Sequence, residues 1–288
     1  MAGEGRNQRL GKREPAAAGL LRIIRAGLTA VRDDMHPAGE REARIHRIRQ
    51  RLKRLRSTLR IVEPHFGEPV ATARRELAMA GRLLSRARDA DVAAASARGL
   101  SATAAGSDHG LGRLALTLDL EAARAHNERT PIGEVQRHLA AAMAGLAGLE
   151  AEFDGDALVA AALRRAYAEG RRSMDRAEAT LATADIHRWR KGVKNLWHIL
   201  GIARKRLPRR AAKLLPDLDR LGELLGLDND HALLAERLAL SPSADRSLMD
   251  QLALIARRRR ALEQEAFELG EKTYARKPKK FMRRLSPG

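Results

Sequence analysis

The chain contains no cysteine, and only 3% of its 288 residues are aromatic. Without thiols there is no disulfide, no thiolate metal centre and no cysteine nucleophile. Scarce aromatics leave little on which a single-stranded nucleic acid could stack. They also leave the 44% hydrophobic content to be supplied largely by Ala and Leu, which favour closely packed helices over sheet. No stretch alternates at strand period. No long apolar run opens the chain either, since Arg22 and Arg25 interrupt "AAAGLLRIIRAGL" too early for a secretory segment or a membrane span. The expectation is an all-α, cytoplasmic protein. Acidic charge is the remaining shortfall: 36 Asp and Glu stand against 55 Lys and Arg, for a formal net charge of +19. A polyanion is the partner such a balance implies.

Prolines, glycines and apolar spacing predict helices at 16–33, 41–63, 68–100 with a break near Asp89, 111–128, 131–151, 155–182, 185–206, 209–240 with a break near Asp228, and 243–275. Residues 99–110 read as a loop, and "RKPKKFMRRLSPG" reads as a basic tail. The clearest organisation is an internal echo. "RIHRIRQRLKRLRSTLR" (44–60) and "DIHRWRKGVKNLWHILG" (185–201) align without gaps, pairing His46 with His187, Arg49 with Arg190, Lys53 with Lys194, Leu55 with Leu196 and Leu59 with Leu200. Downstream, "LLSRARDADV" and "LGELLGLDNDHALL" each end a Leu-rich segment with Asp-x-Asp, at Asp89/Asp91 and Asp228/Asp230. The reading is a duplication within one domain over 16–285, its halves covering about 16–150 and 151–285, each of several antiparallel helices.

At about 100° per residue, His46, Arg49, Lys53, Arg56 and Arg60 share one stripe of a helix, beside the apolar stripe of Ile45, Ile48, Leu52, Leu55 and Leu59. Arg47, Arg51 and Arg54 fall on the opposite side and read as solvated. The second copy carries His187, Arg190, Lys194 and then Trp197, beside Ile186, Trp189, Val193, Leu196 and Leu200. Like charges at these spacings repel by a few tenths of a kcal/mol per pair, so an anion that offsets them is expected. The bland alternative is a solvated basic face, or histidines that serve the core. Arg171 and Arg172 are open to both readings. The Asp-x-Asp pairs diverge on a helix, and no further ligand stands at EF-hand spacing, so they read as caps or as partners of the cassette cations rather than as metal ligands.

His-x-x-Arg-x-x-x-Lys on a basic helix, present twice, resembles the pattern of the CHAD family, the conserved histidine α-helical domain. The resemblance extends through "RARDADV", "YAEGRR", "LGELLGLDND" and "LGEKTYARKPKKF" and so covers nearly the whole chain. It implies two pseudo-symmetric antiparallel four-helix bundles with a basic central groove or pore that binds inorganic polyphosphate without cofactor or catalysis, with polyphosphate granules as an address. Carried over residue by residue, the binding site comprises His46, Arg49, Lys53, His187, Arg190 and Lys194, then Arg56 and Lys191. In the second copy Gly192, Asn195 and Trp197 depart from the pattern. Enzymatic readings find no support: "EAEFD" and "EQEAF" lack the Lys of a triphosphatase-like Glu-x-Glu-x-Lys, and there is no P-loop, HExxH or Gly-x-Ser-x-Gly. A nucleic-acid-binding basic helical protein is the alternative that charge alone allows, though it lacks a recognisable recognition motif.

Overall fold

In the computed structural model, which describes residues 8–36, 40–84, 86–103, 109–127, 131–240 and 246–285, every regular element among those residues is an α-helix. The first half supplies α1 (Ala16–Asp34), α2 (Arg41–Phe66), α3 (Glu68–Leu83), α4 (Arg86–Thr103), α5 (His109–Asn127) and α6 (Ile132–Leu146). The second supplies α7 (Gly155–Thr180), α8 (Thr183–Ala203), the short α9 (Arg209–Ala212), α10 (Leu214–Ala239), α11 (Arg246–Tyr274) and α12 (Pro278–Leu285).

Two closed rings of four helices form the body. In one, α1 packs on α2, α2 on α3, α3 on α6, and α6 returns to α1; in the other, α7, α8, α10 and α11 close in the same order. The matching order is consistent with a duplication in which α2 and α8 are equivalent. One apolar core runs through both rings, and α2 joins them by packing on α7 and α8. Its Ile48, Leu52 and Leu59 are almost completely buried, each worth about 1.5–3 kcal/mol as apolar surface removed from water.

The halves differ where α4 and α5 lie. The break predicted near Asp89 comes a few residues earlier, ahead of the start of α4 at Arg86, so the stretch becomes α3 and α4, and the α4–α5 hairpin leaves its own ring. It builds a second, Ala-rich core with the far ends of α10 and α11, through Ala94, Ala97 and Leu118 against Leu234, Leu238 and Ile255. The break predicted near Asp228 does not exist: α10 is continuous there, because the buried Asp228 carboxylate is met by Arg259 of α11 at 2.8 Å. Helix also extends into the predicted 99–110 loop from both sides, to Thr103 and from His109. The expected basic tail is helical as well. Within α12, Phe281 is buried and stacks on Tyr167 at a centroid distance of 3.8 Å, while Tyr167 donates its hydroxyl to the Arg276 carbonyl at 2.9 Å.

Two departures of the second cassette have packing causes. A Cβ on Gly192 would stand 3.2 Å from the Gly170 Cα, so the missing side chain lets α8 approach α7 closely. Asn195 is buried, where a cation would be costly. Gly170 is equally constrained, since a Cβ there would lie 2.8 Å from Cζ of the buried Tyr274. Replacing Gly170→Ala should therefore cost about 1–3 kcal/mol by overpacking, whereas Gly99→Ala, with nothing within 4 Å of its new methyl on α4, should gain about 0.5–1 kcal/mol from helix propensity. Urea unfolding of both variants measures the contrast.

A second stability test concerns the Asp228–Arg259 pair, beside which Glu263 is held 3.3 Å from Arg259. Burial first, then the Asp228 carboxylate, pushes Glu263 above the ordinary carboxylate range. A folded-state pKa above the unfolded value means that stability is full in acid and is lost as pH rises through the folded pKa. Glu263→Gln should therefore unfold at higher denaturant than wild type at neutral pH and converge with it below the unfolded pKa, as a pH series of unfolding midpoints would record.

Candidate anion-binding site

Helix α2 brings its basic stripe to the edge of the core because Ile45, Ile48, Leu52, Leu55 and Leu59 face inward. The stripe reaches three neighbourhoods. At its N-terminal end His46 and Arg49 line a cavity of about 360 Å³ beneath the α4–α5 hairpin, opposite Asp91, Arg98 and Asp119. Arg49 also donates to the Gly81 carbonyl of α3 at 3.2 Å. Toward the other end Arg56 is half-buried with its Nε unpartnered. Burial, followed by Arg60, Arg74 and Arg82, lowers its pKa, so α3 adds two guanidinium groups to those of α2. Between these ends lies Lys53, whose charge reaches α8.

Helix α8 is placed by the turn after α7. Leu181 there takes a left-handed conformation with φ 49°, and the Asp185 carboxylate accepts from Arg176 at 2.9 Å, Thr180 at 3.0 Å and Arg188 at 2.8 Å. Trp189 anchors the helix, fully buried and stacked on Phe267 at 5.0 Å. The stripe then lies along α10, where two glycines make room for it. A Cβ on Gly222 would fall 2.6 Å from Lys194 Cε, and one on Gly226 would fall 3.5 Å from Arg190 Nε. Lys194 Nζ stands 3.4 Å from Asp219 and 5.3 Å from the Trp197 ring centroid, while Arg190 Nε is buried without a hydrogen-bond partner. His187 donates from Nδ1 to the Asn229 side-chain oxygen at 2.6 Å, because that oxygen can only accept. Burial, with Lys191 and Arg190 adding to it, lowers the His187 pKa.

Asn229, the middle residue of the second Asp-x-Asp, is thus what steadies the cassette histidine. Asp228 serves Arg259 instead of the cassette cations. In the first copy Asp91 faces His46 and Arg49 across the smaller cavity; the side chain of Asp89 lies outside the described residues. Arg171 donates to the Arg276 carbonyl at 3.1 Å and is committed to holding that turn, while Arg172 is exposed. Of the side of α2 expected to be solvated, Arg47 and Arg54 are exposed and Arg51 is partly buried. Arg51 pairs with Asp34 at 2.7 Å, Arg54 donates to Gln8 at 3.0 Å, and both line a larger cavity of about 640 Å³ between the bundles.

His198, one residue past Trp197, is where the two cassettes meet. Burial, then the charges of Arg54, Lys194 and Lys53, push its pKa down to about 4. Cations from α2 and α8 therefore act on one imidazole. Sequence reading missed His198 because it lies off the stripe, and missed Arg74 and Arg82 because they stand on α3, outside both echoing segments. Spacing did hold a signal for Gly222 and Gly226, four apart and beside the cassette. Removing one of the cations should raise the His198 pKa: Lys194→Gln or Arg54→Gln should each move its titration upward from about 4, still short of the ordinary value because burial remains. Its imidazole proton shifts, followed by NMR against pH, give the readout.

No curated protein matches the sequence. Among solved structures, the CHAD domain from the plant Ricinus communis is similar in fold, with a TM-score of 0.69 at 17% identity over 93% of this chain and 94% of that one. The family model of the CHAD domain matches residues 16–239. With paired rings of helices and a His-x-x-Arg-x-x-x-Lys cassette on an equivalent helix of each, the chain belongs to the CHAD domain family.

Proposed function

We propose that the protein binds inorganic polyphosphate through the two basic stripes, as a binding module rather than an enzyme. The observation that carries this reading is the convergence on His198: Arg54 from one bundle and this half-buried ring from the other line one cavity, and Lys53 and Lys194 add their charge there. So many cations drawn together raise the local potential, and a flexible polyanion that touches both stripes relieves it. Arg56 and Arg190 each keep a buried Nε without a partner, so no carboxylate claims that edge of either guanidinium group. Arg49 and Arg190 supply planar forks, Lys53, Lys191 and Lys194 mobile point charges, and His46 and His187 donors whose charge follows pH. No helix among the described residues is long and apolar enough to cross a membrane. A place at polyphosphate granules follows from this reading.

A thin chain can follow a groove between helices, whereas a duplex about 20 Å across with a stiff backbone meets only its rim. At equal phosphate concentration and near-physiological salt, polyphosphate of about a hundred units should outcompete duplex DNA by at least about tenfold, roughly 1.4 kcal/mol. Affinity should also climb from triphosphate to long chains by about 10²-fold as the second stripe is engaged intramolecularly. Replacing His187, Arg190 and Lys194 together with Ala should erase most of that climb while barely changing triphosphate binding. Equal affinity for DNA leaves only a generic basic surface, and chain-length independence means that the stripes do not act on one ligand.

A further inference from the structure

The 640 Å³ cavity between the bundles has a lining that a bare phosphate chain does not use. Its floor is aliphatic, with Ile23 and Leu55 from the first bundle and Ile202 and Leu215 from the second. Two rings stand at its wall, Trp197 and His198, edge to face at 4.9 Å. Arg9, Arg54 and Arg204 provide cations, yet Asp219 lines the same space. An inorganic polyanion would gain nothing from the floor, and the Asp219 carboxylate, held 3.4 Å from Lys194, offers it no donor. None of the eight cassette residues assigned to polyphosphate lines this cavity.

The lining instead describes a ligand with three parts: a flat apolar body, an anionic end and a hydrogen-bond donor for Asp219. The volume lies within the roughly 300–1,000 Å³ common for small-molecule sites, and an indole beside guanidinium groups suits a planar heterocycle. We propose that the inter-bundle cavity is a separate site for a nucleoside phosphate. Its base lies against Trp197 and the aliphatic floor, its phosphates meet Arg54 and Arg204, and a ribose hydroxyl or base amino group donates to Asp219. The site borders the stripes at Arg54 and His198 but needs no phosphate chain bound along them.

Gly201 offers a clean way to test it. The residue lines the cavity, and nothing lies within 4 Å of where its Cβ would be, so the side chain of Gly201→Leu starts in open space and takes up cavity volume. Calorimetry in magnesium-free buffer should find ATP binding at least about tenfold tighter than tripolyphosphate, although tripolyphosphate carries no less charge; that ordering requires contact with the nucleoside. In Gly201→Leu the advantage should vanish, while binding of hundred-unit polyphosphate stays within twofold of wild type. Arg204→Gln, an exposed position, provides a second variant should the first misfold, and should weaken ATP about fivefold. ATP no tighter than tripolyphosphate overturns the proposal, as does an ATP advantage that survives the substitution. A loss of long-chain polyphosphate binding in wild type counts against the stripes alone and leaves the cavity result standing.

Discussion

Repulsion among cations that must stay beside the core is the constraint around which this molecule is arranged. Helices α2 and α8 carry their basic stripes next to buried apolar faces, where water screens charge less well than on an open surface. The fold answers with local devices. The Gly81 carbonyl and the Asn229 side chain accept from the cassettes, and glycines on α10 open a trough for Arg190 and Lys194. Carboxylates do much of the holding at the margins: Asp34 takes Arg51, Asp219 takes Lys194, and Asp185 gathers three donors at the start of α8. Along the stripes themselves, Arg56 and Arg190 retain donors that no carboxylate meets.

Much of the architecture was legible because helical periodicity and a gapless repeat are strong local signals. Helix α2 was expected at 41–63 and runs over Arg41–Phe66, and α7 was expected at 155–182 and runs over Gly155–Thr180. The failures came from partners distant in sequence. Asp228 looked like a helix breaker because an acid in an apolar run is unfavourable by itself; Arg259 supplies what changes that balance. The final segment looked like a tail because its basic residues outnumber its apolar ones, yet Phe281 had an aromatic place waiting beside Tyr167.

The site was legible in a similar way, as residue types on a stripe but not as neighbourhoods. Spacing put His46, Arg49, Lys53 and Arg56 on one face; it gave no sign that the first two would line a cavity beneath α4 and α5, while Arg56 would sit among Arg60, Arg74 and Arg82. Nor could helical phase reveal that Arg51 and Arg54 point toward the other bundle, because the solvent side of an isolated helix becomes the wall of a cavity once a second bundle is docked. Gly192 looked like a defect in the second cassette, and is instead what permits α8 to lie so near α7.

The hairpin of α4 and α5 has a consequence for how the chain acquires its shape. Its small core is completed by Leu234, Leu238 and Ile255, which follow it by more than a hundred positions. During synthesis from the N-terminus, the ring of α1, α2, α3 and α6 can close as soon as its own helices have emerged, but the hairpin's apolar face waits until α10 and α11 leave the ribosome. Joining such distant segments costs loop-closure entropy that local helix pairing avoids. The two halves are thus tied by an order of events: helices made late cover a surface laid down early.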